Sequence, residues 1–147
     1  MNQRKPKIGL ASNQNVRDNY LTKENLIRIE KKFNFKWEQF DEDSSWDESP
    51  DTDKKVKERF SNFCKDLDAL IVSHGSPLVD DEVLESAKNL KFIGELEGDR
   101  FSQWIDLESA FKKNLNVVDT THGSSYPVAE WALALSIIGL KMQDIIL

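Results

Sequence analysis

The apolar positions of this chain fall into short continuous runs separated by stretches with helical spacing. KIGLAS (7–12) is an apolar run ending in small polar residues, and it predicts a first strand. Behind Thr22, a residue suited to capping, Leu26, Ile29 and Phe33 recur at helical spacing and predict a helix to about Phe33. In FKWEQFD (35–41), Phe35, Trp37 and Gln39 alternate with Lys36, Glu38 and Phe40, the period of a strand. Val56, Phe60, Phe63 and Cys64 share one face of a helix expected over 52–66, and Leu67 continues that face. DALIVSH (68–74) is a continuous apolar run, as in a parallel strand covered on both faces. GSPL turns the chain, and Asp80 caps a short helix carrying Val83, Leu84 and Ala87. KFIGELE (91–97) and NVVDTT (116–121) read as the fourth and fifth strands, with a helix over 106–113 between them. A Gly/Ser turn then leads to Pro127. From 128 to 140 the chain is apolar almost all round, with Glu130 and Ser136 its only clearly polar residues.

Five strands alternating with helices imply an α/β domain with right-handed crossovers and a mostly parallel sheet. A length of 147 residues suits one such domain. The 39% hydrophobic and 31% charged balance is that of a globular chain. A formal net charge of −6 argues against nucleic acid as a partner, because phosphate binding needs a basic surface. The closing apolar stretch is bounded by Glu130 and Lys141 and is shorter than the roughly 20 residues of a membrane span, so no membrane role is expected. MNQRKPKIGLAS lacks the apolar core of a signal peptide, and a cytoplasmic protein is expected. Cys64 lies in an apolar helical pattern and reads as a buried structural thiol.

In an open parallel sheet, ligands gather beyond the carboxyl ends of the strands. Those ends are SNQN (12–15), SHGSP (73–77), ELEGDRF (95–101) and TTHGSS (120–125). Glycines in three of them permit close backbone approach, and exposed N–H groups there would suit a carboxylate or other small anion. Ordinary loop chemistry explains the same residues. The chain contains no G-x-G-x-x-G, no Walker loop and no G-x-S-x-G. His74 and His122 each adjoin a glycine after a strand, with no further ligands at metal spacing. DEDSSWDESPDTD (41–53) lacks the spacing of a calcium loop and reads as a solvated acidic loop, with Trp46 available to pin it.

Three segments in register carry a family resemblance. DALIVSHGSPLVDDEVLESAKNLKFIG, GDRFSQWIDLESAFKKNLNVVDTT and HGSSYPVAEWALALSIIGLK together resemble the N-terminal part of the D-isomer-specific 2-hydroxyacid dehydrogenases. The likeness covers 68–141, about half the chain; the first 67 residues agree in pattern only. The resemblance implies a flavodoxin-like three-layer α/β domain over 1–126 with a mostly parallel five-stranded sheet. It implies that 127–147 is a long apolar helix leading to a nucleotide-binding domain. MQDIIL carries no cap or turn residue and reads as an interrupted chain.

The resemblance also implies an oxidoreductase acting on the CH–OH group of a 2-hydroxy acid, with NAD or NADP bound mainly by the second domain. Backbone groups of Ser73, His74 and Gly75 would face the substrate, as would those of Glu97, Gly98 and Asp99, with Arg100 beside them. The family's second loop is of the type Gly-x-Gly-x-Asp-Asn, whereas ELEGDRFSQW is longer, more charged and has one glycine. The family's catalytic Arg, acidic residue and His match nothing here, so no catalytic residue is assigned and this chain alone is expected to be inactive. A homodimer through the C-terminal helix region is implied as well. The alternative reading is a non-enzymatic module of the same fold that binds a small anion or dimerises.

Overall fold

The computed structural model describes residues 4–43, 48–96, 98 and 101–146. Its strands are β1 (Lys7–Ser12), β2 (Asn34–Gln39), β3 (Ala69–Val72), β4 (Phe92–Glu95) and β5 (Asn116–Val118). They form one sheet in the order β2-β1-β3-β4-β5, and every neighbouring pair is parallel. This is the flavodoxin-like strand order. The expected α/β class and five-stranded sheet are both present.

The helices are α1 (Gln14–Tyr20), α2 (Lys23–Lys32), α3 (Lys54–Cys64), α4 (Asp81–Ser86), α5 (Phe101–Trp104), α6 (Leu107–Lys112) and α7 (Thr121–Ile146). Side-chain caps fix their starts. Asn13, Thr22, Asp53, Asp80 and Asp106 each accept a hydrogen bond from a backbone N–H in the first turn of the helix that follows. The Thr22 and Asp80 caps are those the sequence predicts. Helix α1 was not anticipated: the stretch read as a strand-end loop contains Asn13, whose side chain bonds Val16 N–H and starts a helix.

Strand alternation divides the sheet into two unequal faces. A Cβ on Gly9 would meet Leu67 and Phe63, so Gly9 and Ala11 point towards α3. By register, Leu70, Val72, Ile93 and Val117 share that face. Here lies the main core, with Phe40, Phe60, Phe63, Leu67, Val83 and Ile105 packed together. Helix α3 packs on α4 and α4 on α6. Lys57 of α3 pairs with Asp80 and Glu82 at the start of α4, and Lys113 pairs with Asp81 and Glu85. Cys64 is fully buried, and burial pushes its thiol pKa well up.

The opposite face is thinner. Helix α1 lies over β1 and β2, where the Arg17 guanidinium stacks 5.0 Å from the Trp37 ring and Trp37 Nε1 donates to Ser12 Oγ. Helix α2 is amphipathic, yet none of its residues is fully buried. Towards β5 this face is bare: Ile71 is half-buried, while Phe92 and Val118 are exposed.

Helix α7 begins at Thr121, inside the stretch read as a Gly/Ser turn. Gly123 N–H donates to Thr120 C=O, and the Ser125 hydroxyl donates to His122 C=O, which winds these polar residues into the first turns. Pro127 sits within the helix and cannot donate to the carbonyl one turn back. The apolar side chains beside and beyond it face solvent: Tyr126 is 79% exposed and Trp131 and Leu140 are each 67% exposed. No described helix is long and apolar enough to cross a membrane.

Candidate functional site at the carboxyl edge of the sheet

In this strand order the chain leaves β1 and β3 in opposite directions, which normally opens a crevice between their carboxyl ends. Here the first residues beyond the two strands are joined through their backbones. Asn13 N–H donates to His74 C=O at 2.7 Å. Gly75 adopts φ +90°, and a Cβ there would lie 2.3 Å from the Phe40 carbonyl oxygen and 2.7 Å from Asn13 N. Gly75 also forms an isolated antiparallel bridge with Glu42, whose N–H donates to Gly75 C=O at 3.0 Å. The beginning of the acidic loop is therefore tied to the end of β3. Trp46 lies outside the described residues.

Ser73, His74 and Gly75 follow directly on the end of β3. Ser73 is fully buried, and its Oγ finds no hydrogen-bond partner among the described residues. Ser76 N–H closes a turn onto Ser73 C=O, and the Ser76 hydroxyl donates to Pro77 C=O. The half-buried His74 ring meets Trp104 edge-on, with centroids 5.4 Å apart. Trp104 belongs to α5, and its carbonyl accepts from Val79 N–H, so α5 buttresses the β3 loop from the side of β4.

The loop after β4 starts at Glu95. That carboxylate is buried on the core face, at the register position opposite Val72. Gly98 is buried with φ +73°, a conformation that only glycine adopts without strain. Glu97, Asp99 and Arg100 lie outside the described residues. At the end of β5, the Thr120 hydroxyl donates to Leu96 C=O and ties the root of α7 to the β4 loop. His122 follows within α7, on the far side of that tie.

The stretches 12–15 and 95–104 were placed at this edge from the sequence, but Asn13, Glu95 and Trp104 within them were given no individual role. For Glu95 a signal existed: it stands two residues after Ile93 in a strand, so the strand period places a carboxylate on the core face. For Asn13 and Trp104 the signal is weak, because both act through loop contacts that no short-range spacing encodes.

The edge thus offers backbone groups, one imidazole, a buried carboxylate and a buried hydroxyl. Among the described residues, no three His, Cys, Asp or Glu side chains are grouped to hold a metal ion.

No family model matches the chain, and no curated protein matches it. Solved structures do. A phosphoglycerate oxidoreductase from Rhizobium etli aligns with a TM-score of 0.62 at 17% identity, over 89% of this chain and 36% of that one. A Chlamydomonas reinhardtii structure described under the identification of its pyruvate reductase aligns with a TM-score of 0.57 at 18% identity, over 90% and 34%. A 2-hydroxyacid dehydrogenase from Ketogulonicigenium vulgare Y25 aligns with a TM-score of 0.55 at 16% identity, over 95% and 39%. The chain thus spans between 34% and 39% of the length of these three proteins. This chain thus has the fold of about a third of each of these proteins.

Proposed function

We propose that this chain is the substrate-side part of an NAD(P)-dependent oxidoreductase acting on the CH–OH group of a 2-hydroxy acid. The observation that carries the reading is the agreement of two independent signals. Three sequence segments run in register with the D-isomer-specific 2-hydroxyacid dehydrogenases, and the fold aligns with the Rhizobium etli oxidoreductase over 89% of the chain.

In this reading Ser73, His74 and Gly75 form one wall of the substrate site. Glu97, Gly98 and Asp99 form the other, where backbone N–H groups hold the substrate carboxylate. The positive φ of the buried Gly98 supports a tight backbone turn at this point of the loop. The chain carries no G-x-G-x-x-G of its own with which to hold a dinucleotide. NAD or NADP therefore belongs to a second domain, with α7 as the connector towards it. The catalytic Arg, acidic residue and His belong there too. The same reading makes the enzyme a cytoplasmic homodimer, with the α7 region contributing to its interface.

Oxamate, a small unreactive analogue of a 2-oxo acid, tests the substrate wall in ¹⁵N-labelled protein. Saturable shifts of the Ser73–Ser76 and Gly98 amides are expected. Shifts elsewhere, or none, would remove the substrate-site assignment. A parallel assay with NADH and a panel of 2-oxo acids is expected to show no turnover above blank; turnover by this chain alone would refute the placement of the chemistry in a second domain.

A further inference from the structure

Away from the carboxyl edge, the end of α1 and one side of α2 enclose a surface cavity of about 410 Å³. Leu21, Ile29 and Phe33 supply its apolar floor, and the half-exposed Tyr20 ring stands at its side. Arg28, Lys31 and Lys32 form its rim, and no carboxylate lines it. This is the thin side of the molecule, where α2 buries no residue completely.

Among the described residues, Arg28, Lys31 and Lys32 have no acidic partner, as is also true of Lys23, Lys54, Lys55, Lys65, Lys88 and Lys91; what sets the three apart is that they line one hollow that no carboxylate lines. Lys31 and Lys32 complement the dipole at the end of α2. That role needs no cavity, and it does not account for Arg28 or for an uncovered apolar floor. Three unpaired cations around an apolar hollow within the usual size range of small-molecule sites form an amphipathic receptor.

We propose that this α1–α2 cavity is a second small-molecule site, which takes a carboxylate with an aromatic or branched apolar body. The carboxylate pairs with Arg28, whose guanidinium can bond both oxygens, while Lys31 and Lys32 add field. The apolar body covers Leu21, Ile29 and Phe33 and stacks on Tyr20. The site lies on α1 and α2, apart from the Ser73–Gly75 wall, so its occupant is an effector or carried ligand rather than the reacting substrate.

The test is a ¹⁵N NMR titration of the whole chain with 3-phenylpropionate, with inorganic phosphate as the control anion. Saturable shifts confined to Tyr20–Phe33 are expected, weakening as salt is added. Arg28→Ala is expected to weaken binding by about tenfold, since a charged hydrogen bond is lost. Exposed Arg28 has no partner among the described residues, so the thermal midpoint of the variant should stay unchanged. Phosphate binding as tightly as phenylpropionate would overturn the proposal by making the apolar floor irrelevant. Shifts dominated by α7, or an unaltered affinity in Arg28→Ala, would overturn it by showing non-specific apolar adsorption.

Discussion

At the scale of single residues, the carboxyl edge is set by places where only one side chain fits. Gly75 has φ +90°, and its missing Cβ would strike the Phe40 carbonyl oxygen. Gly75→Ala must strain the backbone and push β2 and β3 apart, at a cost of about 2 kcal/mol or more. Urea denaturation is expected to show that loss, together with weaker oxamate binding. A variant as stable as the parent would contradict the tight packing of the β1–β3 crevice. Cys64 gives a second residue-scale check. Its thiol is buried and its pKa is raised, so native protein is expected to resist a thiol reagent such as DTNB at pH 8 and to react once unfolded. Rapid labelling of the folded chain would mean that the α3 face opens readily. The sequence made Cys64 legible, because it sits one residue after Phe63 on an apolar helical face. It did not make the Asn13–His74 bond legible, since that contact joins residues 61 positions apart through backbone atoms alone.

At the scale of elements, strands and caps were legible and loop helices were not. Apolar runs, and for β2 a strand-period alternation, located all five strands, and Thr22 and Asp80 announced their helices. Helix α5 has only four residues, and α1, with Val16 as its buried residue, carries no apolar stripe at helical spacing. The start of α7 was misplaced because Gly, Ser and Pro read locally as a turn, whereas hydrogen bonds from Gly123 and Ser125 wind them into helix. The α6 cap carries a prediction. Asp106 accepts a hydrogen bond from Ser109 N–H, and the Ser109 hydroxyl, followed by that N–H, holds its carboxyl pKa below the ordinary value. A carboxyl depressed on folding stabilises the protein above its unfolded pKa of about 4, and that contribution is lost as pH falls through the lower folded value. Asp106→Ala is expected to cost about 1 kcal/mol at pH 7. Asp106→Asn should keep most of the cap yet flatten part of the acid limb of the stability curve. Chemical denaturation from pH 7 to pH 2 distinguishes the two, and an unchanged acid limb in Asp106→Asn would reject the assignment.

At the scale of the whole molecule, the structure is lopsided. One sheet face carries a closed core beneath α3, α4 and α6, while the other is thinly covered and bare towards β5. Helix α7 adds a second unsatisfied surface, with Val128, Trp131, Leu135 and Ile138 all exposed. Apolar surface of this extent marks an interaction site. The isolated chain is accordingly expected to self-associate in sedimentation velocity, and Trp131→Glu with Leu135→Glu should shift it towards monomer without changing the thermal midpoint. A monomeric parent chain would remove the α7 region from the proposed dimer interface. The apolar character of this helix was plain in the sequence, but what it packs against was not, because periodicity reports which faces avoid water and never which surface receives them.

The central claim is that these residues are the substrate-side part of a two-domain NAD(P)-dependent 2-hydroxyacid oxidoreductase. The most direct test is to sequence the native transcript beyond the codon for Leu147. The account predicts an open frame in which G-x-G-x-x-G opens a βαβ unit within about a dozen residues. A stop codon directly after Leu147, or a continuation without that motif, would contradict it and leave a fold without its reaction.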